Sequence, residues 1–252
     1  MDALHSNQTV LIVLLFSSLA AGSAALGVLP FRSGRRVPLR AIGLAYGLAS
    51  GLMLGAGYIL MAERIAQAVL PVIVGAGLGV GYTYLTHRYS AKKEMGGNPD
   101  LEQPNAATDR SIKIVLLSSL HSASEGVAIG VAMAVSLRLG VFLALVLAVH
   151  NIAEAMVLTD VLRSRRVSLG EATGMSIVTN VPQILLAIVA FAITPAIPGF
   201  LPWALGFAAG ALVYLVLTEL LPYSYERSGR TGIAVLVSVT SGAVILLKGF
   251  LG

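Results

Sequence analysis

Residues 112–137 read IKIVLLSSLHSASEGVAIGVAMAVSL and residues 139–161 read LGVFLALVLAVHNIAEAMVLTDV. About 20 apolar residues suffice for a helix to cross a bilayer, and each window meets that length while holding one H-x-x-x-E: His121 with Glu125, and His150 with Glu154. Residues four apart lie on one helical face, so each pair addresses a single point beside its helix. Counted from Ile112 and from Gly140, His121 and His150 each sit about 14 to 15 Å deep at about 1.5 Å of rise per residue. The windows are separated by Arg138 alone, so they form antiparallel neighbours with their polar pairs at matching depth, near the midplane. An ionisable side chain there costs about 2.5 to 3.5 kcal/mol on insertion scales and persists with partners or a purpose. Two neutral imidazoles and two carboxylates offer nitrogen and oxygen ligands with a charge near −2, and a divalent cation is their natural complement. A hydrogen-bonded staple between helices, or a proton relay without metal, would use the same side chains.

The rest of the chain agrees with a membrane setting. Of 252 residues, 56% are hydrophobic and only 12% charged, about half the charge of a soluble chain. The expected fold is an all-α integral membrane protein, a single transporter domain over 1–252, with eight transmembrane helices near 8–29, 41–62, 69–87, 112–137, 139–161, 172–194, 202–221 and 231–250. Residues 88–111, rich in Gly, Asn, Pro and mixed charges, are expected to form a flexible cytoplasmic loop. Val10 to Leu29 lacks a charged leader and reads as a retained helix. With both termini extracytoplasmic, 14 of the 17 basic residues fall on the cytoplasmic side and only Arg64, Arg138 and Lys248 fall outside. That segregation follows the positive-inside rule and accounts for the net charge of +5 without any nucleic-acid partner. The absence of cysteine excludes disulfides and thiolate metal sites.

The two central motifs, together with Leu217-Thr218-Glu219-Leu220-Leu221-Pro222 and Gly51-Leu52-Met53-Leu54-Gly55, resemble the ZIP (Zrt- and Irt-like protein) family of divalent metal transporters. The resemblance implies a binuclear metal site between the fourth and fifth helices, with His121, Glu125, His150 and Glu154 as ligands and the Asn151 carbonyl oxygen as another. It makes Met53 an optional soft ligand, with core packing as the plainer role, and places Glu219 near the cytoplasmic end of the path, where an interfacial Glu facing water is the alternative. Ser122 stands where the family often has Asn or Asp, and Gln183 beside Pro182 stands where many members have Glu. Both departures weaken the second metal position. Ala153 and Ala155 replace the usual Pro and Gly around Glu154, which implies a milder kink in the fifth helix.

Other features carry ordinary expectations. Gly47, Gly51 and Gly55, and the run Gly75, Gly77, Gly79 and Gly81, suit close helix packing, and such stripes permit a homodimer. Asp160 suits an ion pair with Arg163 or Arg165, His5 and His87 need no role, and Trp203 suits an interfacial anchor. The leading function is transport of Zn²⁺, or of Fe²⁺, Mn²⁺, Co²⁺ or Cd²⁺, towards the cytoplasm across the plasma (inner) membrane, with metal entry displacing protons and the metal as substrate, not as catalytic cofactor. An intramembrane metal-dependent hydrolase is the second class, although no H-E-x-x-H occurs. A proton-coupled carrier of an organic solute is the third.

Overall fold

Without water to satisfy its backbone, a chain in lipid must bond to itself, and helices do so within one segment. A computed structural model describes residues 7–33, 37–95 and 106–251, the side chains of 89–95, 106–117 and 251 excepted. Among the described residues every regular element is helical. Helix α1 (Asn7–Gly22) tightens into 3-10 turns over Ser23–Ser33, followed by α2 (Leu39–Ala62), α3 (Val69–Met95), α4 (Ala106–Val135) and α5 (Leu137–Ser164). Then come α6 (Leu169–Val178), α7 (Val181–Ala196), α8 (Leu201–Leu215), a wide π-helical segment at Val216–Leu220, α9 (Leu221–Ser228) and α10 (Arg230–Leu251).

The eight predicted stretches fall on helix, with two interruptions. The stretch at 172–194 breaks at Thr179 and Asn180 just before Pro182, whose missing N–H cannot continue the ladder. The stretch at 202–221 widens into the π segment just before Pro222, for the same reason. Helix α5 runs unbroken past Glu154, in keeping with Ala153 in place of proline. Of the stretch 88–111 expected as a loop, 88–95 and 106–111 are helical, while 96–105, like His5, lies outside the described residues. Gly229, at φ 82°, joins α9 to α10 in a conformation that a side chain would strain.

Seven helical stretches among the described residues are long and apolar enough to cross a membrane: 7–33, 39–62, 69–88, 137–164, 169–196, 201–228 and 230–250. The side chains of helix α4 are described only from residue 118 onward, and that part by itself is not one of the seven.

Small residues set the contacts between helices. A Cβ on Gly79 of α3 would lie 2.9 Å from the backbone nitrogen of Ala211 in α8, and one on Gly206 of α8 would lie 3.0 Å from that of Ala76. Gly47, Gly51 and Gly55 of α2 meet α10, the last two against Thr240 and Val244. Of the second predicted run, Gly75 and Gly79 face α8, whereas Gly77 and Gly81 meet nothing within 4 Å. Between these contacts lies an apolar core with Leu60, Ile129, Met133, Leu143, Leu147, Leu205 and Leu212 fully buried, while Leu70, Leu78, Leu85, Val239, Leu246 and Phe250 face outward.

The two ends of the bundle gather different loops. At one, Lys248 pairs with Glu63 at 2.8 Å, and both line a cavity of about 390 Å³ with Arg138. At the other, the Ser228 hydroxyl donates to the Arg40 carbonyl at 2.8 Å. Among the described residues Asp160 forms no ion pair with Arg163 or Arg165, contrary to expectation.

Candidate metal centre

Packing α4 against α5 brings the two H-x-x-x-E faces together. Glu125 and His150 are fully buried, His121 and Glu154 are 9% exposed, and each of the four offers a ligand atom such that all lie within 4.8 Å of one another. His150 Nε2 is 2.9 Å from Glu125 Oε1, and His121 Nε2 is 3.3 Å from the same oxygen. The two imidazoles lie nearly parallel, 5.9 Å between centroids with 5° between planes. Proximity is not the same as satisfaction here: His121 Nε2, both Glu125 oxygens, both His150 nitrogens and one Glu154 oxygen are buried without an aligned hydrogen bond. Such groups carry a desolvation penalty, which a cation among them would offset.

The cluster continues beyond α4 and α5. Ring nitrogen Nδ1 of His121 faces Glu219 Oε2 at 3.6 Å, and Glu219 Oε1 is 2.8 Å from His87 Nε2 on α3. The π segment before Pro222 carries Glu219 to this position. A neutral imidazole has one N–H, so His121 cannot donate to Glu125 and Glu219 together. A cavity of about 130 Å³, lined by Tyr46, His87, His121, His150, Glu154 and Glu219 among others, connects the buried quartet to the partly exposed Glu219.

The remaining predicted residues divide. Asn151 Nδ2 donates to Gln183 Oε1 at 2.9 Å and to the Ala20 carbonyl at 2.8 Å, so α5, α7 and α1 meet through this amide. The Ser122 hydroxyl donates to the Thr179 carbonyl at 2.6 Å, covering a backbone oxygen at the break before Pro182. Met53 is fully buried in the apolar core. His87, expected to need no role, lies with its Nε2 2.8 Å from Glu219 Oε1 across a separation of 132 residues. No local spacing could have signalled that contact, nor the place of Tyr46 in the cavity wall.

A family model described as "ZIP Zinc transporter" matches residues 81–248. A protein of Arabidopsis thaliana named, provisionally, as a zinc transporter is 31% identical over 246 residues, covering 97% of this chain. The chain spans only 39% of that relative's length. Zinc transporter GufA of Myxococcus xanthus is 29% identical over 246 residues, 87% of this chain and 92% of that protein. Zinc transporter ZIPB of Bordetella bronchiseptica is 29% identical over 250 residues, 90% of this chain and 77% of that protein.

Proposed function

We infer the function from a premise the match supplies: this chain belongs to the ZIP zinc transporter family, whose model covers 168 of its 252 residues. Membership places it with transporters and not with hydrolases. The proposed activity is passage of Zn²⁺, and of similar dications such as Fe²⁺, Mn²⁺, Co²⁺ or Cd²⁺, towards the cytoplasm through a multi-pass protein of the plasma (inner) membrane. The observation that carries it is the buried quartet His121, Glu125, His150 and Glu154, whose ligand atoms lie within 4.8 Å of one another. Mixed imidazole and carboxylate ligands without thiolate accept several first-row dications.

The architecture proposed is eight spans with both termini outside. The seven apolar helices support it when α4 is taken as the eighth, because its polar residues face the site and not lipid. So does the gathering of Glu63, Arg138 and Lys248 at one end, away from the Arg40 and Ser228 end.

In this reading the quartet binds the cation at mid-depth, and protons held there in its absence leave as it arrives. Transport is then pH dependent without any need for proton symport. Glu219, partly exposed and held by His87 and His121, receives the cation on the cytoplasmic side through the shared cavity. Purified protein in liposomes with a trapped Zn²⁺ indicator should show saturable influx. That influx should be lost in His121→Ala, Glu125→Ala, His150→Ala and Glu154→Ala when each remains folded. Absence of protein-dependent flux for every dication tested, in vesicles shown to contain folded protein, would overturn the transport reading.

A further inference from the structure

We propose that the centre holds one divalent cation per chain, and that the buried amide pair Asn151–Gln183 is what limits it to one. The proposal rests on the transport reading of the quartet and adds its stoichiometry. The quartet alone supplies four ligands, a full set for a tetrahedral ion. Its charge also fits one ion. Among the described residues the buried acids are Glu125 and Glu154, so with both imidazoles neutral the pair of carboxylates balances one dication. A second dication would leave net positive charge even with the Glu219 carboxylate beside His121 counted, and uncompensated charge is expensive in a medium of low dielectric.

Apart from Glu219 beside His121, the side chains of Asn151, Gln183 and Ser122 next to the quartet offer no further charge. Both Asn151 amide hydrogens are used, by Ala20 and by Gln183, and the latter bond occupies Gln183 Oε1, the atom that would otherwise ligate. The Ser122 hydroxyl is turned to Thr179. The place of Gln183 is fixed by contact: a Cβ on Gly126, the residue after Glu125, would stand 2.8 Å from the Gln183 Cα. An anion at position 183 would therefore lie beside Asn151, on backbone packed against the residue after Glu125, with the unpartnered Asn151 Oδ1 as a further oxygen. Glu219 does not fill that role, being on the far side of His121 and engaged with His87.

The test is bound Zn²⁺ per chain in the detergent-purified full-length protein, by elemental analysis after equilibrium dialysis and by titration calorimetry. Wild type and Gln183→Ala are expected to bind one equivalent, and the nearly isosteric Gln183→Glu to bind two. Gel filtration and thermal unfolding establish that each variant is folded. Two equivalents in the wild type, with flux intact, would overturn this proposal and leave the transport reading standing. One equivalent in folded Gln183→Glu would overturn the role given to the amide pair. No bound Zn²⁺ and no flux in the wild type would overturn the transport reading and this proposal with it.

Discussion

Ser122 and Glu219 are both polar residues in apolar surroundings, and the contacts separate them. Ser122 satisfies a backbone carbonyl freed by the break before Pro182, while Glu219 faces two imidazoles beside the cavity. Removing one partner of a buried hydrogen bond costs about 1 to 3 kcal/mol, so Ser122→Ala should lower stability by that order. Its Zn²⁺ affinity should stay at the wild-type value, because the hydroxyl is turned from the quartet. Thermal unfolding and calorimetry in the same detergent check both halves, and a loss of affinity without a loss of stability would make Ser122 a ligand after all. The quartet itself was legible from sequence because helix periodicity converts four-residue spacing into contact. His87 was not, since its partner comes from another helix and only the assembled bundle pairs them.

At the scale of the element, helix length and apolarity were readable throughout, while the breaks depended on neighbours. Pro182 and Pro222 marked where the ladder must lapse, but not whether it would turn or widen. Helix α4 carries four polar residues, His121, Ser122, Ser124 and Glu125, within an otherwise apolar run. Gly126 and Gly77 look equivalent in the sequence and differ in the fold. A methyl at Gly126 would press on the Gln183 backbone at 2.8 Å, whereas Gly77 meets nothing within 4 Å. Gly126→Ala should therefore destabilise by about 1 to 3 kcal/mol, the usual range for overpacking, and Gly77→Ala should hold or raise the melting temperature because alanine is the better helix former. Melting curves of the two variants in one detergent make the comparison, and an equal response would mean that α4 and α7 separate easily.

For the whole molecule, topology is the property most directly open to experiment. The chain contains no cysteine, so single cysteines can be introduced on an unlabelled background. Arg64 and Arg165 are both exposed and flank opposite ends of the bundle. In intact cells a membrane-impermeant maleimide should label Arg64→Cys readily and Arg165→Cys only after permeabilisation. The opposite pattern would invert the orientation drawn from the basic residues. Charge counting could suggest this arrangement because loops of like sign must share a side, although it could not say which helices would touch across the interior.

The outward Leu70, Leu85, Leu246 and Phe250, set against the interior Glu125, His150, Asn151 and Gln183, reverse the usual distribution of oil and ions in a water-soluble protein. Once the helices lie in lipid, hydrophobicity no longer prefers one neighbour over another, so cohesion falls to close backbone approach and a small set of polar contacts. The bilayer is thus a structural component of the protein, doing for its exterior what a buried core does elsewhere. Stripping it away would attack the molecule from its rim inward: self-adhesion of the naked belt would come first, with the charged centre among the last parts to notice.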